Sequence, residues 1–338
     1  MHPRARTRYA VGMRCAGVLG WRVVVVAAAW GALGGCGDEG ASGAPDAATA
    51  SDAGESGDSG SGSDAGATDA GFGRVMVGGD RPARVVVPSS YDGVTPLPLI
   101  VLLHGYGIDG FTQDVYWGLS RRVDTDGFFL VAPDGTVDAE GRRFWNASPA
   151  CCDFGHVGVD DVAYIRGLVA EMKSRFAIDP ARVYATGHSN GGFMSHRLAC
   201  DAADDFVAIA SIAGATSRDA ADCTPSQPVS VLEMHGDLDE DVIYGGVTGA
   251  YPSAPVAIDR WATLDACDPS AGPITTDPPI DFDTAVAGAE TTIRRWTTGC
   301  AHTTESTLWT IAGVGHVPSL QRTFAQTLVA WLLAHPRR

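Results

Sequence analysis

The sequence predicts an α/β fold, a mostly parallel central sheet with helices on both faces. Short, largely apolar runs recur at 97–103, 128–132, 183–186, 206–212, 229–234 and 308–311. That is the length and composition of strands buried on both sides. Segments of helical spacing alternate with them, and this alternation marks a parallel sheet built by crossovers. The runs also end in glycine or small-residue turns, where the chain must reverse direction sharply.

Taken in order, residues 75–87 alternate enough for an opening hairpin, with Gly78-Gly79-Asp80 near its turn. Run 97–103 ends in His104-Gly105-Tyr106-Gly107, and run 128–132 in Pro133-Asp134-Gly135. Residues 160–176 place Val162, Ile165, Leu168, Val169 and Met172 on one helical face. Run 182–186 leads into Gly187-His188-Ser189-Asn190-Gly191, followed by a helix-like stretch at 192–198. Run 206–212 ends at Ala213-Gly214 and run 229–234 at His235-Gly236. Run 308–311 is the last, and 320–333 closes the chain as an amphipathic helix. In such sheets ligands bind beyond the carboxyl ends of the strands, and His104, Ser189, Asp239 and His316 all fall there.

The first 72 residues read differently. Arg4, Arg6, Arg8, Arg14 and Arg22 precede an apolar stretch at 23–33, which is too short to span a bilayer. Leu33-Gly34-Gly35-Cys36 then resembles a bacterial lipobox, so 1–36 reads as a lipoprotein signal peptide with Cys36 as the lipidated residue. Gly37 after the cysteine points, by resemblance to Gram-negative lipoproteins, to the outer membrane or cell surface; release as a secreted domain is the alternative. Residues 37–72 are Gly, Ala, Ser and Asp with hardly a large apolar side chain, and read as a disordered acidic linker. The folded unit is then 73–338. The net charge of −16 leaves −13 on that unit, which would repel a phosphate backbone and argues against nucleic acid as a partner.

Besides Cys15 and Cys36, six cysteines remain, an even number that in an exported chain suggests disulfides. Cys200–Cys223 and Cys267–Cys300 each span a moderate loop and are the favoured pairs. Cys151 and Cys152 are then either a vicinal bridge or unpaired. No C-x-x-C pair is present, so no metal site is expected.

Ser189 stands at the apex of strand, sharp turn and helix, in a G-x-S-x-G pattern. That geometry exposes a hydroxyl beside a helix N-terminus able to hold an oxyanion. A serine hydroxyl needs a base and a carboxylate to orient that base. Asp239 follows the seventh strand-like run, and His316, in Ala312-Gly313-Val314-Gly315-His316, follows the eighth. The order Ser, Asp, His is that of α/β-hydrolases. Asp237 and Asp241 compete with Asp239, which is favoured at the tip of the turn. The N–H of Asn190 is one expected oxyanion donor and that of Tyr106 the second. Trp117 and Trp145 are candidate walls of an acyl pocket. The mechanism requires no cofactor.

Leu103-His104-Gly105-Tyr106-Gly107, Cys151-Cys152 followed by Asp160-Asp161-Val162, Gly187 to Met194, His235-Gly236 with Asp239 and Tyr244-Gly245-Gly246, and Gly315-His316 together resemble a known family. It is the secreted polyhydroxybutyrate depolymerase and feruloyl esterase group of the α/β-hydrolase superfamily. The resemblance runs from about Val85 to the C-terminus. It implies an α/β-hydrolase fold and a serine esterase acting on cinnamoyl or acetyl esters of polysaccharide or on short polyesters, and it supports Cys267–Cys300. The chain departs from the family's Trp-Pro-Gly after the histidine, with Val317-Pro318-Ser319, and from its Pro-Tyr, with Ile243 before Tyr244. A serine peptidase and a catalytically silent surface lipoprotein that binds a ligand are the alternatives. The intact serine, base and acid argue against the second.

Overall fold

The computed structural model describes residues 75–338. The signal segment 1–36, its Cys36 and the linker 37–72 lie outside the described residues. The chain opens with β1 (Val75–Val77) and β2 (Ala83–Val86), the expected hairpin. There follow β3 (Leu97–Leu103), α1 (Gly110–Trp117), the short α2 (Val123–Asp126), β4 (Phe129–Ala132) and a two-stranded flap of β5 (Thr136–Val137) and β6 (Arg143–Phe144). Next come α3 (Asp161–Arg175), β7 (Ile178–His188), α4 (Asn190–Asp201), β8 (Ala208–Ile212) and β9 (Ser230–Gly236). The chain ends with α5 (Ala254–Leu264), β10 (Thr291–Trp296), β11 (Ser306–Ile311) and α6 (Phe324–Leu333).

The main sheet has the order β1-β2-β4-β3-β7-β8-β9-β11-β10. It is parallel from β4 through β11 and antiparallel at its edges. The central strands are largely apolar because both faces are covered. Leu99, Val101 and Leu103 of β3 point to one side, where they join a core with Ile165, Leu168 and Val169 of α3 and Phe193 and Leu198 of α4. Ile100 and Leu102 point to the other and join Leu119, Phe324, Leu328 and Leu332. Each such side chain taken out of water contributes about 1.5–3 kcal/mol before conformational entropy is counted.

The helices are capped as their sequences permit. The Asp160 carboxylate accepts from the Ala163 N–H at 3.0 Å to open α3. Asp109 opens α1 by accepting from the Thr112 N–H at 2.7 Å, and Gly118, at φ 71°, closes it. The structure joins all three cysteine pairs, Cys151–Cys152 included. Cys200–Cys223 ties the end of α4 to the loop after β8, and Cys267–Cys300 closes the segment between α5 and β11.

Candidate active site

The carboxyl ends of β3, β7, β9 and β11 deliver four loops to one edge of the sheet. Ser189 sits on the turn between β7 and α4 with φ 55° and ψ −118°, a conformation that a non-glycine residue adopts only when its surroundings enforce it. Two bonds do so here: the Ser189 N–H donates to the Ile212 carbonyl at 2.8 Å, and its own carbonyl accepts from the Phe193 N–H at 2.9 Å. Gly187 and Gly191 are required by packing. A Cβ at the first would run into the Gly191 backbone, and one at the second into the Leu103 carbonyl.

The structure brings Ser189, His316 and Asp239 into one hydrogen-bonded line. Ser189 Oγ lies 2.8 Å from His316 Nε2, and His316 Nδ1 lies 2.8 Å from Asp239 Oδ2. A carboxylate only accepts, so Nδ1 carries the proton and Nε2 is left to accept from the serine hydroxyl. The other oxygen of Asp239 accepts from the N–H groups of Asp241 at 2.9 Å and Val242 at 2.8 Å. Burial alone would raise the Asp239 pKa. Hydrogen bonds from His235 and His316 outweigh it and hold the carboxyl far below the usual range. The rival acids do neither job: Asp237 is exposed and accepts from the Gly313 N–H at 2.7 Å, and Asp241 is exposed.

His316 is anchored from behind. His188 Nε2 donates to the His316 carbonyl at 2.8 Å, and the Tyr116 hydroxyl donates to the Pro318 carbonyl at 2.6 Å. Burial, with the nearby His316, pushes His188 down to about 4, so it is a neutral donor.

The loop 104–107, expected from sequence to supply the second oxyanion donor, is oriented by His104. Its Nε2 accepts from the Gly135 N–H at 2.8 Å, so its proton is on Nδ1, which donates to the Gly105 carbonyl at 2.8 Å. In a planar trans peptide the Tyr106 N–H then points away from the imidazole. A Cβ built on Gly105 would lie 3.7 Å from that of Ser189, which puts this peptide beside the serine. The Tyr106 N–H carries no hydrogen bond among the described residues. Asn190 is the first residue of α4, where the N–H has no intrahelical partner. The arrangement can bind a carbonyl, attack it and hold the resulting negative oxygen.

Residues 125–244, which contain the serine turn, match the prolyl oligopeptidase family, Peptidase_S9. Feruloyl esterase B of Piromyces equi is 28% identical over 198 residues, covering 55% of this chain and 36% of that protein. This chain therefore spans little more than a third of that relative's length. A probable feruloyl esterase C of Aspergillus oryzae is 30% identical over 198 residues, covering 54% of this chain and 67% of that protein. This chain belongs to the feruloyl esterase group of α/β-hydrolases. Among solved structures, an acetyl xylan esterase from Aspergillus awamori shares the fold, with a TM-score of 0.54 at 15% identity over 76% of this chain and 98% of the other.

The two tryptophans considered as walls of an acyl pocket are core residues, a correction to the sequence-based expectation. Trp117 is buried edge-on against Phe324 of α6. Trp145 is buried under the site and joins its two halves. Its backbone exchanges two bonds with the Asn190 side chain, at 2.7 and 2.9 Å, and its indole N–H donates to the His104 carbonyl at 3.1 Å. Trp145→Phe keeps the bulk and removes the indole donor. It is expected to lower kcat of ester hydrolysis about fivefold with little change in KM, since one neutral hydrogen bond is worth about 1 kcal/mol.

An open groove of about 690 Å³ runs along α4 beyond the serine turn, with Asn146, Asp153, Phe193, Arg197, Asp201 and Arg218 among its lining residues. Pattern reading overlooked Glu233. Glu233 had a visible signal, a charge inside a strand otherwise built for burial.

The buried histidines set a pH optimum for stability. Burial lowers His104 and His188 to about 4. Below about pH 6.5 the unfolded chain binds protons that the folded one refuses, so stability falls from there toward pH 4. Burial raises Asp265 to about 7, which offsets one of the two. Burial alone would lower His235, but hydrogen bonds to Asp239 and Glu233 push it up to about 10. That contribution is fully present below about pH 6.5 and is lost as pH rises toward 10. The unfolding temperature, scanned from pH 4 to 10, is expected to peak near pH ~6.5. A monotonic rise across that range would contradict the assignment of His235.

Proposed function

We propose that this chain is an exported serine carboxylic ester hydrolase that forms an acyl-enzyme on Ser189, with feruloyl or acetyl esters of polysaccharide as substrates. The observation that carries the reading is the unbroken line from Ser189 Oγ through His316 to Asp239, 2.8 Å at each step. His316 Nε2 takes the hydroxyl proton as Oγ attacks the ester carbonyl. The N–H groups of Tyr106 and Asn190 hold the oxyanion. The alcohol leaves with the proton from His316, and water, deprotonated by the same imidazole, releases the acid and restores the serine. The Piromyces and Aspergillus relatives support esters of ferulate, and the mixed groove along α4, with Asn146, Asp153, Arg197 and Arg218 beside Phe193, suits a hydroxyl-rich alcohol. Cys36 carries a lipid that tethers the domain through the acidic segment 37–72.

A panel tests this on the purified protein: methyl ferulate, acetylated xylan, hydroxybutyrate oligomers, short p-nitrophenyl esters and a peptide anilide. Turnover of ferulate or acetylxylan above the oligomers is expected. Preference for the oligomers would replace the substrate class with a polyester. Preference for the anilide would support a serine peptidase, the second reading that the prolyl oligopeptidase match favours. No turnover of any ester would end the proposal. Intact mass of the protein from the membrane fraction checks the anchor on Cys36.

A further inference from the structure

Beneath Asp239 lies a chain of polar side chains that the hydrolytic steps do not use, and its protonation follows from who can donate. Trp261 Nε1–H, which can only donate, lies 3.0 Å from His196 Nδ1. Nδ1 must therefore accept, and His196 carries its proton on Nε2, 3.0 Å from Glu233 Oε2. The other oxygen of Glu233 accepts from the Gly214 N–H at 3.3 Å and faces His235 Nδ1 at 3.1 Å. His235 Nε2 faces the Val242 carbonyl at 2.7 Å and Asp239 Oδ2 at 3.3 Å. Burial would raise Glu233, but hydrogen bonds with His196 and His235 outweigh it, and the Gly214 N–H also turns toward it, so Glu233 is a carboxylate. With acceptors at both ring nitrogens, His235 is an imidazolium. Glu233, His235, His196 and Asp239 are all buried.

We propose that Glu233 and His235 are positioning residues for the Ser189–His316–Asp239 relay, an ion pair sealed under Asp239 that keeps it ionised and oriented and tempers its hold on the His316 proton. His235 and His316 approach the same oxygen of Asp239 from two sides. A cation on the far side of that carboxylate offsets the attraction it exerts on a proton at His316. The other groups facing these two rings do not reproduce this. Tyr244 meets His235 edge-on at 5.6 Å with its hydroxyl bonded to Thr310, and the His188 ring, 5.0 Å from His316, is neutral. Burial disfavours charge on His235, but its two carboxylate partners push it up to about 10, so the cation persists across the working range.

The direct test is the ring nitrogens of ¹⁵N-histidine-labelled protein, followed by NMR at pH 8.5. The expected result is one histidine still protonated on both nitrogens, lost in His235→Gln. A singly protonated His235 at that pH would overturn the proposal. This spectrum needs no turnover. The proposal rests on the relay being the working one, and a doubly protonated ring in a protein that hydrolyses no ester would sink the functional reading alone. The kinetic test is the acid limb of kcat/KM in His235→Gln and in Glu233→Gln, which keeps the shape of the site. His235→Gln, which removes the cation, is expected to move that limb upward by about half a pH unit or more, and Glu233→Gln moves it the same way where the loss of its anion lets His235 give up its proton. A fall in kcat with the limb unmoved in both would reduce the pair to a structural part and refute the tuning role.

Discussion

Ser189→Ala is expected to abolish ester hydrolysis, lowering kcat by about 10⁴-fold or more while the protein stays folded. The hydroxyl oxygen is the group aligned with His316 Nε2, at 2.8 Å. With it gone, the imidazole has only water to activate, and the covalent route is closed. The N–H groups of Tyr106 and Asn190, the Asn190–Trp145 clamp and the Asp239–His316 bond do not involve that oxygen and remain. What they retain is the residual rate that binding and electrostatics supply over water. The backbone at 189 keeps φ 55° whatever the side chain, because Ile212 and Phe193 hold it. Stability should therefore change little, or rise slightly as the buried polar geometry relaxes. Initial rates with p-nitrophenyl acetate, beside thermal unfolding of the same samples, check both halves. Retention of more than about 1% of the rate in a folded variant would remove Ser189 from the mechanism, since loss of a nucleophile costs orders of magnitude more.

The sheet was legible where burial on both faces made composition speak. Residues 97–103 form β3 as expected, and the same holds for β8 and β9 to within a residue or two. Hydrophobicity failed where an element is short or lies at an edge. β10 reads Thr-Thr-Ile-Arg-Arg-Trp because it is the outermost strand, and its arginines reach Asp259 and Asp277. α1 is a two-turn helix with Phe111 and Val115 exposed, so its apolar residues do not mark its buried face. Its caps, Asp109 and Gly118, were the better signal. α5 carries both signals, Ser253 and Pro255 at its start and Ala254, Ala257, Ile258 and Trp261 buried at helical spacing, and pattern reading passed over it. The site divides in the same way. Ser189, Asp239 and His316 stand at strand ends in turns that contain glycine, and those positions, with their chain order and the family resemblance, suggested their grouping. Trp145 was misjudged because an indole in sequence looks the same whether it walls a pocket or clamps two loops. Glu233 and His196 are 37 residues apart and belong to different elements, so their contact emerges only when α4 packs beside β9.

Asp239→Asn is the second large effect, a loss of about 10⁴-fold in kcat/KM near neutral pH. Asp239 Oδ1 accepts from the N–H groups of Asp241 and Val242, so the asparagine carbonyl will take that place and its NH₂ the place of Oδ2. That NH₂ then faces His316 Nδ1 and His235 Nε2. A donor facing Nδ1 forces the ring proton onto Nε2, and an imidazole protonated there cannot accept from the serine. The same NH₂ opposes the N–H of His235, which loses one of its two carboxylates and keeps only Glu233. Flipping the amide gives no escape, because the NH₂ would then confront the two backbone donors of the turn. Asp241→Asn is the matched control: its side chain is exposed and outside the hydrogen-bonded line, so kcat/KM should stay within about twofold. Steady-state rates of both variants at one pH decide the point. Comparable losses at 239 and 241 would mean that the loop's charge, rather than the bond to His316, orients the base.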